Sequence, residues 1–120
     1  MTGKIKRLEK LAADVVASVL ASLPEPLTER ARTLPVLFAE KPDPDDGQEE
    51  DLLGLFIGSE MADEGYETLP PQIILFLENL WDEAGNNERA FREEVRITYL
   101  HELGHYLGLD EDDLTERGLD

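Results

Sequence analysis

Residues 72–78, Gln-Ile-Ile-Leu-Phe-Leu-Glu, limit the fold of this chain more than any other stretch. They are dense in Ile, Leu and Phe and open on Pro70-Pro71, so they read as a β-strand. The segments on either side have a different period. Leu8, Leu11, Val15, Val19 and Leu23 recur at helical spacing, which predicts an amphipathic helix over residues 4–23 that stops before Pro24 and Pro26. Downstream, Leu80 to Ala84 reads as a helical turn, and Asn86 or Asn87 can cap a long helix running to residue 107. Glu88 falls in the first turn of that helix, where the dipole favours negative charge, and Gly108 stands where a left-handed residue would end it. Two more short strands are expected, at 34–40 and 52–60; Pro35 is tolerated at a strand's start, and Gly54 and Gly58 suggest bulges or close backbone approach. The order of one helix, three strands and a long helix is an α+β plan, and residues 1–120 read as one domain.

Charge narrows the function. With 28 acidic and 11 basic residues the formal net charge is −17, which argues against a partner with a nucleic-acid backbone and against an anionic membrane surface. Cysteine is absent, so disulfides and thiolate chemistry are excluded. No apolar run approaches the ~20 residues of a membrane span. Lys4, Lys6, Arg7 and Lys10 ahead of residues 11–23 loosely imitate a signal peptide, but Asp14 interrupts the stretch and its apolar residues keep helical spacing. A cytoplasmic protein is expected. The loop at 41–51 holds six acidic residues; it reads as solvated surface, or more sharply as a device that steers cationic peptide segments toward a nearby site. Arg89, Arg92, Glu93 and Arg96 read as a solvated face.

The chemistry concentrates in His101-Glu102-Leu103-Gly104-His105. Histidines four residues apart on a helix share one face, with Cβ atoms ~6 Å apart, so both imidazoles can converge on one zinc ion. Glu102 borders that face and can act as base toward a metal-activated water, which then attacks a peptide carbonyl. The chain has two histidines, and both are in this motif. Gly108 follows at the spacing of the extended HExxHxxG pattern. Gly104 inside a helix costs ~1 kcal/mol relative to alanine, which suggests that another element approaches closely there.

On these residues the chain resembles the short, single-domain zincin-like metallopeptidases of bacteria, the minimal zincins. Their HExxHxxGxxD-like motif lies near the C-terminus, after a strand of the LPPxIxLF type. Here these are Leu69-Pro70-Pro71-Gln72-Ile73-Ile74-Leu75-Phe76 and residues 101–111, and the likeness extends to Leu23-Pro24-Glu25 and the strand at 52–57. The resemblance implies a small sheet packed against the N-terminal helix and a long C-terminal active-site helix, one Zn2+ ion, and peptidase activity. In the extended pattern a third ligand falls ten residues after the first histidine. That position is Glu111, with Asp110 as the alternative and Asp112 on its other side. Longer zincins place a methionine turn below the metal; Met1 and Met61 precede the motif, so Leu114 is the candidate floor. Zincins also add a His, Tyr or Arg that supports the oxyanion, which leaves Tyr66, Tyr99 and Tyr106, each of which also reads as a core aromatic.

The expectation is a zinc-dependent metallopeptidase: His101, His105 and Glu111 (or Asp110) hold the metal, and Glu102 is the general base. Its partner is a peptide or protein substrate. By resemblance, that substrate lies along an edge strand beside the helix, at 52–58 or 72–78. The rival is a non-catalytic zincin-fold protein-binding module, since a chain this small has little wall for a deep pocket. An acidic mimic of nucleic acid rests on the charge alone.

Overall fold

Leu8, Val15 and Val19 are buried and Leu11 is half-buried, so the apolar stripe read in the sequence is the face that the first helix, α1 (Thr2–Ser22), turns to the core, and Leu23 is buried just beyond its end. The computed structural model describes residues 2–46, 49–58 and 71–108. Within them α1 is followed by α2 (Glu25–Arg32), β1 (Val36–Ala39), β2 (Gly54–Ile57), β3 (Gln72–Phe76), α3 (Leu77–Glu83) and α4 (Glu88–Leu107). The architecture is α+β, as expected.

Two elements differ from the sequence reading. The stretch after Pro24 is a helix, α2, where the prolines had been read as the end of helical structure. Pro24 takes the N-cap position and Pro26 lies in the first turn, where a missing N–H costs no intrahelical bond. Glu25 at its start and Arg30 and Arg32 at its end complement the helix dipole. The buried Thr28 hydroxyl donates to Leu23 O at 2.9 Å, which closes the corner between α1 and α2. The second difference is at residue 77. The strand expected to run to 78 ends at Phe76 because Leu77, Leu80 and Ala84 are buried at helical spacing, which makes 77–83 the helix α3 and supersedes the turn expected at 80–84.

The strand order is β1-β3-β2: β1 runs parallel to β3, and β2 antiparallel to it. Ile73 and Leu75 of β3 are completely buried. Because β3 is central, residues 72–78 offer no edge for a substrate, which corrects that half of the expectation. Among the described residues, β2 is an edge strand, and it lies against α4. Gly54 makes no bulge, since the register runs unbroken from Gly54↔Leu75 to Ile57↔Gln72, and Gly58 lies beyond the paired residues. Both mark close approach instead. A Cβ on Gly54 would stand 2.6 Å from Thr98 Cγ2, and one on Gly58, which has φ 131°, would stand 2.7 Å from Pro71 Cα.

The acidic loop is solvated, with Asp43, Asp45, Glu49, Glu50 and Asp51 exposed. It includes one turn of 3-10 helix at Pro44–Asp46, and the Asn79 amide ties its end by donating to Glu50 O at 2.8 Å and Leu52 O at 2.9 Å. No helix among the described residues is long and apolar enough to cross a membrane.

Candidate metal centre

The histidines are presented by α4, and local chemistry fixes that helix at both ends. At its start the Asn87 side chain accepts a hydrogen bond from Ala90 N–H at 2.9 Å, which settles the choice of cap. The preceding turn needs left-handed backbone at Gly85 (φ 67°) and Asn86 (φ 60°), two residue types that tolerate it. At its end Gly108 takes φ 73°, ψ 27°, and its N–H closes on the carbonyls of Gly104 and His105. Between these caps Phe91, Val95, Tyr99, Leu103 and Leu107 are buried at every fourth position. That stripe turns His101 and His105 out of the core.

The two imidazoles stand side by side. Their ring centroids are 4.8 Å apart, with the planes tilted by 57°. A tetrahedral ion with nitrogens at ~2.0–2.1 Å asks for centroids roughly 5 Å apart. Ring spacing and donor type therefore both fit zinc. Glu102 is a different kind of residue. Its side chain is 12% exposed against 51% for His105, and its Oε1 lies 3.9 Å from His105 Nδ1. It sits on α4 between Thr98, which meets Gly54, and Tyr106, whose ring lies 6.0 Å from that of Phe56. Glu102 therefore occupies the seam between α4 and the edge strand, and the histidines lie just outside the seam. Gly104 is buried in the turn between them.

The pairing of β2 sets which of its backbone groups face out. Phe76 N–H donates to Leu53 O at 3.0 Å, and hydrogen-bonded pairs alternate along an antiparallel ladder. Residues 55 and 57 therefore bond to β3, and the N–H and C=O groups of Gly54 and Phe56 point to the outer edge, which no strand among the described residues covers.

A model of the zincin-like metallopeptidase family matches residues 31–119 of the 120. The chain belongs to that family. The match takes in the sheet, α4 and the HExxH segment, and supports a function of the metallopeptidase type, with the metal that zincins imply. Comparison with curated proteins gives no match.

The remaining expected residues divide clearly. Glu111, Asp110, Asp112, Leu114 and Tyr66 lie outside the described residues. Among the described residues no three His, Asp or Glu side chains come together as a possible metal site. Tyr99 is a core residue: it is 0% exposed, its hydroxyl has no partner among the described residues, and burial pushes its phenol up to about 12. Tyr106 is half-buried against Phe56, with the Arg30 guanidinium 6.0 Å above its ring. The expected solvated face of α4 is present, with Arg89, Arg92 and Glu93 exposed and Arg96 donating to Glu93 at 3.0 Å. What the sequence reading missed is the partner of Gly54. The glycine signalled a close approach, and nothing in the sequence pointed to Thr98.

Proposed function

We propose that this chain is a zinc peptidase that hydrolyses an extended peptide laid along the outer edge of β2. His101 and His105 hold the ion, with Glu111 or Asp110 as the third protein ligand. The observation that carries this reading is the adjacency of the two imidazoles on α4 beside an open strand edge, with Glu102 in the seam between helix and strand. The ion, when bound, supplies a Lewis acid that acidifies water and polarises a peptide carbonyl. Everything else is the work of this chain. The outward groups of Gly54 and Phe56 hold the peptide by its backbone, so its geometry is fixed with little demand on its side chains. Glu102, screened from bulk water and with its Oε1 3.9 Å from His105 Nδ1, takes the proton of the attacking water and returns it to the leaving nitrogen.

The test is Glu102→Gln in the zinc-loaded protein. The amide keeps the shape and is not a ligand, so zinc content and folding should persist while hydrolysis of a broad peptide library falls by at least ~10²-fold. Equal cleavage by the glutamine variant, or none by wild type, refutes the hydrolase reading. In the second case peptide binding without cleavage would leave the protein-binding module in its place.

A further inference from the structure

We infer that Glu94 and Ile97 form a subsite for a lysine or arginine side chain of the bound peptide, on the residue that lies opposite Gly54. This rests on the reading of β2 as the docking edge. An antiparallel segment added there exchanges both backbone hydrogen bonds with Gly54, and directly opposed residues project to the same face of a sheet. For Gly54 that face is the one against α4, because a Cβ there would meet Thr98. The side chain opposite therefore descends beside Thr98, on the flank away from β3. At 100° per residue, Glu94, Ile97, His101 and His105 fill an arc of about 80° on that flank.

Each part of the arc suits one part of a long cationic side chain. Ile97 is 48% exposed, one of two large apolar side chains so open among the described residues. It lies one helical turn from His101 and offers an apolar floor. Glu94 is half-buried and makes no ion pair among the described residues, and the residues three and four positions away are Ala90, Phe91, Ile97 and Thr98, none of them cationic. Its Cα is ~4.5 Å further along the helix axis than that of Ile97, within the ~6 Å reach of a lysine stem. A side chain with a hydrocarbon stem and a charged head can therefore lie on Ile97 and end at Glu94, as such residues do on apolar surfaces beside water. No Lys or Arg stands on this arc to compete. Glu50 and Asp51, exposed just before β2, add negative potential at the same end. The strand directions place this residue two positions C-terminal to the one opposite Phe56.

The experiment uses zinc-loaded full-length protein and matched fluorogenic peptides that differ by lysine, glutamine or norleucine at each position in turn. At one position lysine should raise kcat/KM about fivefold over glutamine, the size of a partly exposed ion pair, and the ratio should shrink as salt rises from 0.05 to about 0.5 M. Norleucine should fall between the two, because it keeps the stem. Glu94→Gln should bring the lysine-to-norleucine ratio near one, and Ile97→Asn should remove the advantage of norleucine over glutamine. A lysine preference untouched by Glu94→Gln, or no preference at any position, overturns the subsite. If wild type cleaves nothing, anisotropy binding of the same peptides to the Glu102→Gln protein separates the two ideas. A lysine preference lost on adding Glu94→Gln keeps the subsite while the hydrolase reading fails, and no binding overturns both.

Discussion

Substituting Gly54 by alanine tests the seam between β2 and α4 directly. Gly54 does not have positive φ, so alanine meets no backbone strain there, and the whole effect comes from contact. Its Cβ would lie 2.6 Å from Thr98 Cγ2, 3.3 Å from Leu75 Cδ2 and 3.4 Å from Ile74 O, where ordinary contact begins at 3.4 Å. The strand and helix must separate by roughly 1 Å, and overpacking of that kind costs about 1–3 kcal/mol. The larger consequence is for catalysis, because the displaced edge is the one proposed to hold the peptide. A misplacement of ~1 Å can cost about 10²-fold in rate. Thr98→Ser removes the offending Cγ2 and little else. The expected pattern is a loss of ~10–100-fold in kcat/KM for Gly54→Ala, a small effect for Thr98→Ser, and recovery of most of the loss in the double variant. Zinc per chain should stay constant throughout, since the ligands are not on β2. Activity of Gly54→Ala within threefold of wild type, or no recovery on adding Thr98→Ser, refutes the reasoning.

Zinc measured per chain should be about one in wild type and near zero in His101→Ala and His105→Ala, because two protein ligands hold the ion weakly. The same measurement on Glu111→Ala and Asp110→Ala identifies the third ligand; loss in the first with none in the second is expected. Asn87→Ala should destabilise the protein by ~1 kcal/mol in urea titration through the lost cap of α4, with zinc content unchanged. Tyr99→Phe should stabilise it by ~1–2 kcal/mol, since the native hydroxyl is buried without a partner among the described residues. The Tyr99 phenol stays neutral in the fold up to about 12 but ionises near 10 in the unfolded chain. The unfolded state therefore loses its proton first, and the stability of wild type should fall between about pH 10 and 12 with a slope that Tyr99→Phe reduces.

How much was legible in the sequence depended on whether a residue's role was local. The caps of α4 were legible because capping is a matter of neighbouring residues: Asn87 bonds Ala90, and Gly108 supplies φ 73°. The HExxH pair was legible because helical spacing alone places two imidazoles on one face. The helix α2 was not, because two prolines within three residues suggest a break, and a proline in the first turn of a new helix looks the same in sequence as one that ends an old helix. The boundary between β3 and α3 was blurred by Leu77, an apolar residue that serves a strand and a helix equally well until Leu80 and Ala84 are seen to share its buried face.

Strand order shows where the limit lies. The sequence suggested two candidate edges, and the choice between them depended on which strand had two neighbours. The clue was present: Ile73, Ile74, Leu75 and Phe76 are apolar at four successive positions, a pattern that suits a central strand better than one with an edge in water. The neighbouring strand at 54–57 is as apolar but opens on glycine, and that glycine has the opposite meaning. It lets a strand with one free side press its other side onto the helix, where Thr98 meets it. The packing of this open edge onto α4 thus depends on a residue with no side chain. Motif reading passes over such a residue, because it looks for groups that react and Gly54 contributes only room.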